Sequence, residues 1–531
     1  MEKSNMKTNK TESEGMKSMS DLSRQESSSN PLAGVAYSNP AGTEYPVIAY
    51  NNDMEYLINH PIENVSIEEV MAETLDTIKS CGFNTNIFVL FSNELDNWRS
   101  IIESYYIEAD RLGLRTISDM SNMIPILNQA YAYTLGTPNV RITNGITYNP
   151  SLDKYSKILN IKKEMSNLWG FCIATKPEFI SWGYDYLTAP LNSTVAGGTP
   201  DLNEAYRTYM QNMNQHPAYF NFEVSAARKY IGKEISDMDA SDMVKYVRYL
   251  ETLIDRFNLP MLSVNVFPIL KSNTAPFYTV YEDYYFILES LGRFSVRLDF
   301  PLWMHMLCAQ LKIYKDGSTV VEAEYPLPTQ GILRFQAMNA IAFGFQGLVF
   351  WPYCIPENLM QKDSSTGASI PKVEFINVPY NEDGFKTDIY LNCAAVIPGI
   401  KLYGKALTGA RFLEAQHVYG PAYVGDKFRG TSEFVSNMGC FAHATASGSG
   451  FVITRMDKGQ EKYVVIVSHD PYNAQDITLT IYARCRWTEY IMIDWDDSSL
   501  TEKVHDIVNH EETVTRTLQP GGILLIRYER L

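Results

Sequence analysis

The feature that most constrains the fold is a unit repeated along the first two thirds of the chain: a helical stretch, a break, then a short apolar run. Ser66 to Ser80 has helical spacing, with Ser66 as N-cap and Glu69 three residues on, the pattern of a capping box. Cys81-Gly82-Phe83 then leads through Asn84-Thr85-Asn86 into the apolar run Ile87 to Phe91. Helix, glycine turn and buried strand make one step of a parallel sheet.

The step recurs. Helical Trp98 to Leu112 ends at Gly113 and is followed by a strand over Leu114 to Met120. The same order pairs Tyr155–Asn167 with Trp169–Thr175, Leu202–Asn214 with Ala218–Val224, and Ala240–Phe257 with Met261–Phe267. Two more pairs are Tyr281–Phe294 with Pro301–Leu307, and Thr329–Gly344 with Gly347–Tyr353. Tyr45 to Tyr50 supplies a first strand. This number of repeats favours a closed (β/α)8 barrel, a TIM barrel of the α/β class, over an open sheet.

After about Gly420 the pattern changes. Phe451-Val-Ile-Thr, Tyr463 to Ser468, Ile477 to Ile481 and Ile523 to Ile526 are alternating or β-branched, with turn residues between them. They predict a smaller all-β sandwich. The expected division is a disordered N-terminal tail over 1–44, the barrel over 45–418 and the sandwich over 419–531. The tail is rich in Ser, Lys, Glu and Asn and lacks the apolar core of a signal peptide. That leaves a cytoplasmic protein and one whose export signal has been removed equally open. Gln361 to Asp388 is polar and turn-rich and reads as a long loop over the barrel mouth, or part of the link.

Charge narrows the partners. Lys and Arg number 45 against 61 Asp and Glu, a net charge of −16, which disfavours nucleic acid and anionic membrane. No stretch is apolar for long enough to span a membrane. The seven cysteines are scattered without a CxxC pair, so neither a disulfide framework nor a zinc site is expected, and several read as small buried hydrophobes. No metal and no cofactor is expected. The oligomeric state is not legible.

Several segments, in order, resemble the glycosidase-like TIM barrels of the β-galactosidase and cellulase clan, which carry a C-terminal β-sandwich. Gly82-Phe83-Asn84 is similar to that group's first "GFN", and Trp169-Gly170-Phe171 through Pro177 to its "GY…DEP" strand. His216 to Asn221 is similar to "HPxYxN", Ser263 to Pro268 to "SxDxYP", and Pro301-Leu302-Trp303 to "PFW". Arg334-Phe335-Gln336 through Gly344 and Gly347 to Tyr353 resembles "RFQ…AxGxxG…YF.Y". The resemblance covers Tyr45 to Tyr353 and implies a glycoside hydrolase-like protein acting on β-linked oligo- or polysaccharides. Two departures stand against the reaction: Lys176 replaces the expected glutamate and Asn265 the expected aspartate. The alternative is a carbohydrate-binding pseudoenzyme on the same scaffold.

Glycoside cleavage needs two carboxyl groups, one protonating the leaving oxygen and one attacking carbon or activating water. Glu223, at the end of a buried strand, is the leading candidate; otherwise it is salt-bridged to Arg228 or Lys229. Glu178 is the second, or else a solvated residue opening the next helix. Lys176 would hold either carboxylate ionised. Expected sugar contacts are Lys176, Asn84, Asn86, Asp119, Asn221 and Asn265, with Trp303, His305, Trp351 and Tyr353 from the last two strands. Several have a plain counterpart: Asp119 as an N-cap, Asn84 and Asn86 as turn residues, the aromatic residues and His305 as packed core.

Overall fold

The computed structural model describes residues 44–51, 65–89, 98–119, 141–143, 146–148, 165–175, 218–223, 248, 250–251, 254, 259–272, 277–281, 283–354, 359–381, 383–424, 427–428, 432–434, 438–492, 499–505 and 510–530. The first helix, α1 (Ile67–Ser80), shows why this chain alternates as it does. Ser66 Oγ accepts from the Glu69 amide at 3.1 Å, and the Glu69 carboxylate accepts from the Ser66 amide at 2.9 Å. Two amide donors that a helix start leaves orphaned are thereby satisfied. Val70, Met71, Leu75 and Ile78 fall on one buried face. Gly82, at φ 101°, then turns the chain where a side chain would meet Ile397.

Eight strands follow from such steps: β1 (Val47–Asn51), β2 (Thr85–Val89), β3 (Arg115–Asp119), β4 (Leu168–Thr175), β5 (Ala218–Glu223), β6 (Leu262–Asn265), β7 (Leu302–Leu307) and β8 (Gly347–Trp351). They pair in sequence order, all parallel, and the ring closes through Val47 opposite Leu348. This is the expected barrel. Around it, α2 (Trp98–Arg111), α3 (Tyr284–Leu298), α4 (Gln330–Ala342) and α5 (Asp388–Leu407) form described parts of the outer layer. The expected helices at 155–167 and 202–214 lie almost entirely outside the described residues, as does most of 240–257.

Strand alternation sorts the side chains. Phe88 stacks on Tyr105 of α2 at 4.0 Å, and Phe350 meets Phe83 edge-on at 5.2 Å, so these face outward. Inside, Trp303 lies 5.1 Å from Trp169, and the Arg115 guanidinium sits 5.6 Å over the Trp169 ring. Gly347 opposes Trp303, where a Cβ would come within 2.7 Å of the indole nitrogen. A large residue facing a glycine lets this lower layer close.

The barrel is extended at its C-terminal rim in a way the sequence reading missed. The hairpins at 269–280, 310–325 and 359–377 follow β6, β7 and β8 in turn and join into one six-stranded antiparallel sheet. Much of the segment expected as a loop, Gln361 to Asp388, is therefore the hairpin strands Leu359–Lys362 and Ser369–Asn377, followed by the start of α5. One face of the sheet carries Leu311, Ile313, Tyr325, Val373 and Phe375 onto Phe267 and Trp351 at the rim.

The described residues after 410 form a sandwich of a three-stranded antiparallel sheet and a seven-stranded sheet, antiparallel except where Ser432–Glu433 pairs with Arg411–Tyr419. Phe451, Ile453, Val464, Ile466 and Ile526 of the larger sheet pack against Phe441, Ile477, Leu479 and Ile481 of the smaller. The other face of the larger sheet, with Phe412, Val452, Met456, Val465 and Val467, joins the barrel core. Phe412 lies 5.1 Å from Phe343 and would clash with any side chain at Gly292 of α3. All seven cysteines are buried thiols.

Candidate functional site

In a parallel barrel the C-terminal ends of the strands build the site. Register places those ends. Asn221 pairs with Ser263, Glu223 with Asn265, Asn265 with His305, and Leu307 with Trp351. Tyr50 and Asp119 bring the same inner face from the other half of the ring.

Contacts among these residues cross the interior. The Tyr50 hydroxyl donates to the Asp119 carboxylate, and the Tyr50 and His305 rings lie 5.9 Å apart. Asn221 donates its amide to Asn265 Oδ1 at 2.9 Å. Tyr50, Asp119, Asn221, Asn265 and His305 are all buried. Among the described residues, Asn221 Oδ1 and Ser263 Oγ, from adjacent strands, have no hydrogen-bond partner although both are buried. Such groups carry a desolvation cost of about 1–3 kcal/mol each unless something polar reaches them. At the rim, Trp351 stacks on Phe267 at 5.6 Å with planes 8° apart and meets Phe375 edge-on. Trp351 and Phe267 are both partly exposed.

Five of the expected contact residues thus face the ring or its rim, Asp119, Asn221, Asn265, His305 and Trp351, and the backbone of Glu223 holds the strand position paired with Asn265. Lys176 and Glu178 lie outside the described residues, and for Glu223 only the backbone is described. Four expectations are corrected. Asn84 sits before β2 at the opposite end of the barrel, where it accepts from the Val47 amide and donates to the Tyr45 carbonyl. Asn86 faces outward: its Oδ1 accepts from Tyr105 and its amide donates to the Arg115 carbonyl. Tyr353 also points outward, donating to Thr77 Oγ1 of α1 at 3.0 Å. Trp303 faces inward but belongs to the lower layer, 1% exposed. The Asp119 carboxylate accepts from Tyr50, and the segment it was expected to cap lies outside the described residues.

Tyr50 and Ser263 were not singled out from sequence. Both lay inside runs read as apolar strands, and only the alternation of β1 and β6 could have marked them. The end of β7 is apolar: Gln336 of α4 accepts from the Leu307 amide and donates to its carbonyl, each at 3.0 Å. Among the described residues no His, Cys, Asp and Glu are grouped so as to hold a metal ion. The described inner surface offers one carboxylate, two carboxamides, a phenol, an imidazole and an aromatic plane. Those groups can bind a polyhydroxylated ligand, with the ring stacking and the amides discriminating hydroxyls.

The chain is similar to several solved structures. One is a glycoside hydrolase family 5 protein from Bacteroides vulgatus, 9% identical over 92% of this chain and 89% of that one, with a TM-score of 0.44. A second is an endo-β-1,4-mannanase from Thermotoga petrophila, 10% identical over 89% and 100% of the two chains, TM-score 0.40. A third is a noncanonic maltogenic α-amylase from Thermotoga neapolitana, 10% identical over 92% and 99%, TM-score 0.41. No protein-family model and no curated protein matches the chain.

Proposed function

We propose that the mouth of this barrel binds a saccharide, and that the chain is a glycoside hydrolase-like protein for β-linked oligo- or polysaccharides. One observation carries the binding reading: Asn221 Oδ1 and Ser263 Oγ are buried side by side without a described partner, below the stacked Trp351 and Phe267. Sugar hydroxyls donate and accept, so they suit orphaned oxygens, and the C–H face of a pyranose suits an aromatic plane. For cleavage, Glu223 and Glu178 are the proposed pair, one as acid and one as nucleophile or base. A separation of about 5–5.5 Å would give retention and roughly 6.5–9.5 Å inversion.

A second reading, binding without turnover, is favoured by two features. Asn265 is a carboxamide held by Asn221, and β7 ends in Leu307 rather than a carboxyl residue. One experiment separates the two. The purified chain is tested for binding to a glycan array and for hydrolysis of aryl β-glycosides and β-linked polysaccharides, beside Glu223→Gln. Turnover lost in Glu223→Gln with binding kept supports the hydrolase. Binding without turnover supports the second reading. Neither binding nor turnover with any saccharide overturns both.

A further inference from the structure

We propose that Cys440 and Cys485 form a disulfide when the chain folds in an oxidising medium, joining the two sheets of the C-terminal sandwich. Cys440 immediately precedes the strand Phe441–Ala446 of the smaller sheet, and Cys485 opens the strand Cys485–Ile491 of the larger. The backbone draws them together from both sides. The Tyr482 amide donates to the Cys440 carbonyl at 3.0 Å, and Phe441 pairs with Ile481. Arg530, the register partner of Cys485, donates its guanidinium to the carbonyl of Gly439. Both thiols are buried in the core shared by the two sheets, near enough to perturb each other's ionisation.

No other described thiol pair has this arrangement. Cys81 donates to the Tyr390 carbonyl at 3.7 Å, and Cys308 to the Pro352 carbonyl at 3.0 Å. Those two lie in the barrel core; Cys485 donates to the carbonyl of its own neighbour Arg486 at 3.7 Å, a local contact that leaves it beside Cys440. The Cys440 thiol, helped by Arg530, lowers the Cys485 thiol below its usual range against the effect of burial.

The two residues are 0% and 1% exposed, so exchange precedes closure of the sheets or follows their opening. The Cys485 thiolate attacks one sulfur of a small-molecule disulfide such as oxidised glutathione, breaking its S–S bond and releasing one glutathione thiolate. The Cys440 thiolate then attacks the Cys485 sulfur of the mixed disulfide and expels the second. Two protein thiols are oxidised, one glutathione disulfide is reduced to two glutathiones, and the two thiol protons pass to the leaving thiolates.

The test refolds the full chain in a glutathione redox buffer and, separately, in reductant, then alkylates it under denaturing conditions. Oxidised refolding should leave five of the seven thiols alkylatable, with one Cys440–Cys485 linked peptide on a non-reducing map. Tm should rise by about 5 °C over the reduced protein, a gain that the double variant Cys440→Ser/Cys485→Ser cannot show. Seven free thiols after oxidised refolding, or a linked peptide joining other cysteines, overturns the proposal. The wild-type thiol count decides the matter even if the double variant fails to fold.

Discussion

Tyr50 of β1 donates its hydroxyl to the carboxylate of Asp119, two strands away across the inside of the barrel. Asp119 is 1% exposed, so this bond holds a carboxylate that water reaches poorly. Tyr50→Phe keeps the ring beside His305 and removes only the donor. A hydrogen bond to a charged group is worth about 1.5–3 kcal/mol, and we expect a stability loss of that size. Urea unfolding of the variant checks it. Saccharide affinity should fall as well, because Asp119 would lose a partner that fixes its rotamer.

Trp303 and Trp351 should separate cleanly. Trp303→Ala opens a hole against Trp169 and Gly347 in the lower layer and should cost about 3–5 kcal/mol. Trp351→Ala removes the rim plane stacked on Phe267 and should weaken saccharide binding by about tenfold or more with a smaller effect on stability. Paired melting and titration of both variants decide this; an equal loss of affinity in Trp303→Ala at a temperature where it is folded would assign the wrong layer to the ligand.

His417 Nδ1 and His469 Nε2 lie 2.9 Å apart, packed with Tyr285 and Phe428 where the sandwich meets α3. Burial pushes both imidazoles below their ordinary range, His417 to about 3, and His469 is lowered further by its neighbour. An unfolded histidine titrates near 6.5. Below that value the unfolded chain binds protons that the folded chain refuses, so stability falls as pH drops from about 6.5 towards 3 and is unaffected above. Each histidine adds up to about 1.4 kcal/mol per pH unit to that slope. Denaturant unfolding at pH 7, 6 and 5 should show a steeper decline in wild type than in His417→Gln/His469→Gln. Parallel slopes would mean that the pair is protonated in the folded protein.

Glu489 is fully buried between the sandwich sheets and takes a two-point contact from Arg516, at 2.8 and 3.0 Å. Glu489→Gln leaves the guanidinium without its counter-charge and should cost about 3 kcal/mol; the low end applies because the Arg516 side chain keeps 27% exposure. The double replacement Glu489→Leu/Arg516→Met should cost much less, since both charges leave together. A double-mutant cycle by thermal or urea unfolding reads the difference.

The barrel was legible because its signal is repeated and local. A capped helix, a left-handed glycine and an apolar run recur often enough to predict closure, and Ser66, Gly82 and Gly113 behave as their types require. The candidate site was legible only by strand. Which strand ends carry polar residues can be read, but the phase of each strand cannot. Asn86 and Tyr353 turned outward for that reason, and Asn84 and Trp303 proved to lie too low. The rim sheet was missed because its exposed face alternates Lys312 with Tyr314 and Glu322 with Glu324. A strand half covered in charge looks like a loop when only one partner is local and the other lies about 50 or more residues away.

The three rim hairpins are not independent loops. The strands of the middle one pair outward on both sides, with Ser272 and Lys271 on one flank and with Val373 to Asn377 on the other. Trimming the terminal strand Leu359–Lys362 would leave five strands still bonded, whereas excising 310–325 would cut the sheet in two and strip the cover from Trp351. Change along this flank of the molecule is therefore graded: free at its margin, nearly forbidden at its centre.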